Sequence, residues 1–171
     1  LHYFQRSFIF PLLMKGKSQM PIAIMLMGIT FNVINGLLIG TSLFTLPPSA
    51  FNEGSVYLTH PTSIAGIAIF FIGMGINIHS DHVIRHLRQP GDTRHYLPSK
   101  GMYRYVTSAN YFGELVEWTG FALFCSTPAA WLFVIWTAAN LIPRAAAIHK
   151  RYRKEFGDAV GHRKRVIPFV Y

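Results

Sequence analysis

Thr62-Ser63-Ile64-Ala65-Gly66-Ile67-Ala68-Ile69-Phe70-Phe71-Ile72-Gly73-Met74-Gly75-Ile76-Asn77-Ile78-His79-Ser80-Asp81-His82-Val83-Ile84 is apolar over the length a bilayer-crossing helix requires, about 20 residues. Its first half carries no charge. Its second half carries Asn77 and Asp81, with Arg85 and Arg88 just beyond. These four positions recur at i, i+4, i+8 and i+11, which is one stripe of a 3.6-residue helix. The stretch reads as a membrane helix whose polar face is confined to one end.

On either side, comparable runs occupy 1–14, 21–46, 106–125 and 128–149, the first of them looking cut short. The fold class expected is therefore all-α, a multi-spanning transmembrane bundle with about five helices in this chain. Composition agrees: of 171 residues, 51% are hydrophobic and 15% aromatic against 13% charged, too little polar surface for a water-soluble domain. Disorder, coiled coil and collagen are excluded by the same figures. The lone Cys125 lies in an apolar run and can form no intrachain disulfide. The chain opens on Leu1-His2-Tyr3-Phe4 with no signal-peptide layout and is read as one integral-membrane domain, 1–171, N-terminally truncated.

Lys and Arg total 16 against 7 Asp and Glu, a net charge of +9. Their placement decides what this means. Lys15 and Lys17 lie in the first linker and none in the second; Arg85, Arg88, Arg94, Lys100 and Arg104 surround the third; none lies in the Ser126 turn, and eight follow from Arg144 onward. Such alternation is the positive-inside pattern, with the basic loops and the C-terminal segment on the cytoplasmic side of an endoplasmic-reticulum or bacterial inner membrane. The charge can orient the chain in the lipid bilayer, and no nucleic-acid partner is expected, since a soluble nucleic-acid binder would not need the apolar runs between the basic loops.

Two more helices carry polar stripes beside a basic loop. Asn110, Glu114 and Glu117 fall at i, i+4 and i+7; Asn140, Arg144 and Tyr152 fall at i, i+4 and i+12, with His149 close by. Ionisable groups at membrane depth cost about 2.5 to 3.5 kcal/mol each on insertion scales, so three stripes at one level suggest a shared polar cavity. Carboxylates and carboxamides inside it and arginines at its mouth suit a ligand with a hydrogen-bonding head and a phosphate-bearing tail, such as a nucleotide cofactor. The plainer alternatives are an Asp81–Arg85 helix-end pair, a Glu114–Arg144 interhelical pair and lipid-facing arginines. Gly36-x-x-x-Gly40 and the Gly73/Gly75 pair are read as close helix packing. His82 and His86 share a face, yet no carboxylate completes a ligand set, so no metal is expected.

The run Gly73-Met74-Gly75-Ile76-Asn77-Ile78-His79-Ser80-Asp81, then Arg85-x-x-Arg88-x-Pro90-Gly91, then Tyr105-Val106-x-Ser108-Ala109-Asn110-Tyr111-Phe112-Gly113-Glu114 with Glu117-Trp118, resembles the steroid 5α-reductase family. His2-Tyr3-Phe4-x-Arg6, Asn35-Gly36, His149-x-x-Tyr152, Phe156 and Ile167-Pro168-Phe169 extend the likeness over nearly the whole chain. The resemblance implies a seven-helix membrane reductase that uses NADPH on the 4,5 double bond of a 3-oxo-4-ene steroid, with the chain lacking the first two helices. It implies Tyr3 as the donor that polarises the ketone; the partner Glu of an earlier helix has no counterpart here. It implies Asn77, Asp81, Arg88, Asn110, Glu114, Arg144, His149 and Tyr152 at the cofactor. His95-Tyr96 stands where the family has Tyr followed by Arg, so His95 is assigned to the cofactor as well, and Lys17 reads as a solvated loop cation. A monomer is expected. The competing readings are the same scaffold acting on a polyprenol or an enoyl thioester, an isoprenylcysteine-type methyltransferase whose Arg-His-Pro element is absent, and a non-catalytic channel or assembly subunit.

Overall fold

The computed structural model describes residues 2–9, 12, 21–45, 47, 49–87 and 94–171. Among them it is all-helical, with a single isolated bridge between Val106 and Lys164 and no strand. We name the helices α1 (His2–Phe4, continued as a π-turn Gln5–Ile9), α2 (Ile22–Phe44), α3 (Pro61–Arg85), α4 (Ala109–Cys125) and α5 (Pro128–Phe156). Short 3₁₀ segments at Ser49–Thr59, Gly101–Arg104 and Gly157–Val160 join or extend them. The helices Ile22–Phe44, Pro61–Arg85 and Pro128–Val160 are long and apolar enough to cross a membrane.

Helix ends follow local chemistry. Pro61 and Pro128 sit in the first turns of α3 and α5, where a missing N–H costs nothing. Thr127 caps α5 by accepting from the Ala130 N–H at 3.3 Å. Two boundaries differ from the sequence reading. The fourth run was expected from 106, but α4 starts at Ala109 because the N–H groups of Thr107 and Ser108 donate to the carbonyls of Lys164 and Arg165, which keeps that stretch extended. The fifth was expected to stop at 149, yet α5 runs on to Phe156, since lysines and arginines are good helix formers whether or not lipid surrounds them.

The main packing contact is α3 against α4. Gly66 and Gly73 on one helix face Gly120 and Gly113 on the other, a spacing of seven residues on each. A Cβ on Gly66 would come within 2.6 Å of the Phe124 backbone nitrogen, and one on Gly113 within 2.6 Å of that of Asn77. A Cβ on Gly73 would collide with the backbone nitrogen of Glu117, and one on Gly120 with that of Phe70. The two backbones are in contact, as small residues permit in membrane helices. For Gly36, Gly40 and Gly75, nothing among the described residues lies within 4 Å of a built Cβ, so the packing expected of them has no partner there. A glycine spacing alone does not say whether another helix passes there.

α5 closes over α4 through Trp118 and Phe133, whose rings meet edge-on at 4.7 Å. α2 touches α5 by Phe31, 5.3 Å from Trp136 and 6.0 Å from Phe133, and packs Leu43 against the Ala122, Cys125 and Ala130 cluster, while most of its other apolar side chains are exposed. The two basic segments share one end of the bundle: the Lys164 N–H donates to the Tyr105 carbonyl at 2.8 Å, and Arg163 Nη1 to that of Pro98 at 3.0 Å.

Candidate active site

Glycine contact between α3 and α4 brings two of the polar stripes together. Asn77 Nδ2 donates to the main-chain carbonyl of Asn110 at 3.1 Å. Asp81, one turn further along α3, is buried. The 3₁₀ turn Gly101–Arg104 drops Tyr103 into the same place, where it is almost completely buried and its hydroxyl reaches toward Asn110 Oδ1 at 3.5 Å. Burial, followed by the nearby Asp81 carboxylate and the Tyr152 and Tyr111 phenols, pushes the Tyr103 phenol well above its ordinary value of 10.0. Because the folded value lies above the unfolded one, the stability that Tyr103 brings is complete below pH 10 and is lost as the pH rises beyond it. Tyr103 thus gathers groups from α3, α4 and α5, although it belongs to no periodic stripe that would single it out in the sequence.

A second constellation lies on the same helix. Glu117 on α4 is fully buried, with Oε2 hydrogen-bonded to His2 Nδ1 at 3.0 Å and Oε1 without a partner among the described residues. The His2 ring lies 4.7 Å from Trp118. Tyr3, half-exposed, follows with its ring 5.9 Å from Trp118 and close enough to Glu114 and Glu117 to sense both carboxylates. Asn110 and Trp118 are eight residues apart on one helix, so the two constellations stand about 12 Å from each other along its axis. Glu117 belongs to the polar stripe of α4, and its pairing with His2 is the contact that only the three-dimensional arrangement reveals.

The remaining expected residues are placed as follows. Tyr152 joins Tyr103 electrostatically. His149 Nδ1 lies 3.3 Å from Thr107 Oγ1, at the junction with the 161–166 segment. Arg144 is exposed on α5, and Asn140 bonds back to the Trp136 carbonyl of its own helix at 3.0 Å. His95 pairs with Glu155 of α5 at 2.9 Å through Nδ1 and is exposed. Arg88 and Lys17 lie outside the described residues. His82 and His86 stack at 4.0 Å, and among the described residues no group of three potential ligands is arranged to hold a metal ion.

The donor set fits a nicotinamide nucleotide. The Asn77 and Asn110 side chains offer donors and acceptors that can pair with a carboxamide, while a buried carboxylate and phenols suit ribose hydroxyls. The hydroxyls of Ser80 and Ser108, adjacent in sequence to Asp81 and Asn110, are buried without a hydrogen-bond partner among the described residues, so polar capacity remains there.

Comparison with known proteins gives the family of the chain. The family model described as 3-oxo-5-alpha-steroid 4-dehydrogenase matches residues 18–171. The chain is 41% identical to 3-oxo-5-alpha-steroid 4-dehydrogenase 1 of Bos taurus over 174 residues, covering 99% of this chain and 65% of that protein. It is 39% identical to the type 1 protein of Homo sapiens, covering 100% of this chain and 64% of that one. To the human type 2 protein it is 37% identical, covering 100% and 65%. The chain therefore spans about two-thirds of the length of these relatives, and it belongs to the 3-oxo-5-alpha-steroid 4-dehydrogenase family.

Proposed function

We propose that this chain forms the cofactor-holding part and half of the ketone-polarising part of an NADPH-dependent membrane reductase of 3-oxo-4-ene steroids. The observation that carries the reading is the joining of both constellations by α4: the Asn77–Asn110 contact near one point of the helix and the Glu117–His2 bond, with Tyr3 beside it, two turns away. Family membership supports the steroid as substrate.

Asn77 and Asn110 hold the nicotinamide carboxamide and the neighbouring ribose, with Asp81, Glu114 and Tyr152 around them; Arg88, Arg144, His95 and His149 serve the phosphates and base at the basic mouth. NADPH, when bound, supplies hydride. The chain's own task at the other end is electrostatic. The Tyr3 hydroxyl donates a hydrogen bond to the 3-ketone and stabilises the negative charge that builds on its oxygen as the conjugated double bond is reduced. A proton then completes the reduction at the carbon next to the carbonyl. Glu117 acts as a positioning residue, fixing the His2 imidazole and with it the turn that presents Tyr3. In this reading the bilayer supplies the apolar substrate, and the basic loops face the cytoplasm.

The test is an NADPH-dependent assay of the full-length protein with progesterone, testosterone and an enoyl-CoA in parallel, repeated with Tyr3→Phe. Steroid reduction that disappears in the variant while NADPH still binds supports the assignment. Reduction of the enoyl-CoA alone, or unchanged turnover by Tyr3→Phe, removes it.

A further inference from the structure

At the basic end of the bundle, His149 and Arg153 of α5 and the segment His162-Arg163-Lys164-Arg165 line an open basin of about 580 Å³. Among the described residues no acidic side chain lines it. The basin's outer wall is a hook formed by residues 166–171. The N–H groups of Val166 and Ile167 both donate to the Tyr171 carbonyl, at 2.8 and 3.0 Å, and the Tyr171 N–H returns to Ile167 at 3.0 Å. Arg165 Nη1 bonds the Tyr171 hydroxyl, which ties hook to basin.

The hook exposes two apolar residues at its tip, while Val166 at its base is buried. Phe169 is 79% exposed and Val170 72%, and Phe169 holds φ +65, a left-handed conformation that side-chain-bearing residues rarely adopt. The Tyr105 ring, itself exposed, lies 5.4 Å from that of Phe169. An aromatic and aliphatic tip fixed in the open beside a cation-lined basin combines the two chemistries of a membrane interface: cations at phosphate level, aromatic rings at the headgroup boundary.

We propose that the basin and hook form a docking site for an anionic phospholipid, with Arg153, Lys164 and Arg165 on its phosphate and Phe169, Val170 and Tyr105 against its glycerol and upper acyl region. Charge complementarity selects the anionic headgroup. A free phosphate would use the basin alone and would have no use for Phe169, and a nucleotide, which could stack on the ring, is told apart from the lipid by NADPH competition. The site lies on the basic face, where the proposed orientation puts the cytoplasmic leaflet, and it does not depend on which molecule the protein reduces.

The experiment is native mass spectrometry of the detergent-solubilised full-length protein with phosphatidylglycerol or phosphatidylcholine added at equal concentration. Phosphatidylglycerol is expected to be retained at least tenfold better. Each interfacial cation is worth about 1 kcal/mol, close to fivefold, so Arg153→Gln with Lys164→Gln should lower phosphatidylglycerol retention about 25-fold. Phe169→Ser should lower it as well, while leaving binding of inorganic phosphate unchanged. Unaltered circular dichroism and NADPH binding of these exposed variants separate loss of the lipid site from loss of fold or of the reductase site. Equal retention of the two lipids, no change in the double variant, or displacement of the lipid by equimolar NADPH or inorganic phosphate would overturn the proposal.

Discussion

α2 carries three glycines and the α3/α4 pair five, in similar apolar surroundings, but the structure uses them differently. Gly36 and Gly40 on α2 face open space, whereas Gly66, Gly73, Gly113 and Gly120 bring two backbones into contact. The difference lies in the partner. On α3 and α4, Gly66, Gly73, Gly113 and Gly120 each meet a backbone segment of the other helix at a seven-residue interval, so the contact extends along both. On α2 the x-x-x spacing has no facing counterpart among the described residues. The functional consequence is local: Asn77 can reach the Asn110 carbonyl because Gly113 stands beside it without a side chain. The polar groups assemble where the helices are in contact, and α2, which stands largely alone, contributes none of them.

This contrast can be broken at several points. The largest effect on stability is expected from His2→Ala. Leaving the buried Glu117 carboxylate without its imidazole partner should cost about 3 to 5 kcal/mol, read as a lower thermal midpoint of the purified protein. Replacing Glu117 by Gln in the same background should recover part of the loss, because the uncompensated charge is gone; no recovery would mean that the His2 bond is not what the buried carboxylate depends on. Tyr3→Phe should lower kcat about 10² to 10³-fold, the usual consequence of removing one donor from a developing oxyanion. NADPH affinity should stay the same.

Gly73→Ala drives a methyl group into the Glu117 backbone and should cost about 1 to 3 kcal/mol, with weaker NADPH binding as the Asn77–Asn110 contact opens. At Gly40 the same substitution meets nothing and should change the midpoint by no more than about 0.5 kcal/mol. Equal effects at the two glycines would show that the contrast between α2 and the α3/α4 pair has no energetic content.

Much of this was legible beforehand. Apolar runs of bilayer length gave the helices, and alternating basic loops predicted that the 94–108 and 161–166 segments share an end, which their hydrogen bonds bear out. Asn77, Asp81, Asn110 and Glu114 stood out because a polar residue at membrane depth is costly and periodicity assigns it a face. Tyr103 stayed hidden for the opposite reason. It lies in a short basic loop, where a tyrosine costs nothing to expose, and only the 3₁₀ turn reveals that it is inserted between helices. The Glu117–His2 bond joins residues far apart in sequence, and no periodic pattern can register such a pair. The register of α4 was misjudged by three residues because hydropathy cannot distinguish helical Val106 from Val106 held extended by Lys164.

The account depends on α4 serving two separate ends of one reaction, cofactor near Asn110 and ketone near Tyr3. The most direct measurement is equilibrium NADPH binding to the full-length protein, comparing Asn110→Ala with Tyr3→Phe. Asn110→Ala should weaken binding about tenfold or more, as loss of a buried polar partner does, whereas Tyr3→Phe should bind NADPH as the unaltered protein does and fail only in steroid turnover. Normal NADPH affinity in Asn110→Ala together with a loss in Tyr3→Phe would contradict the division.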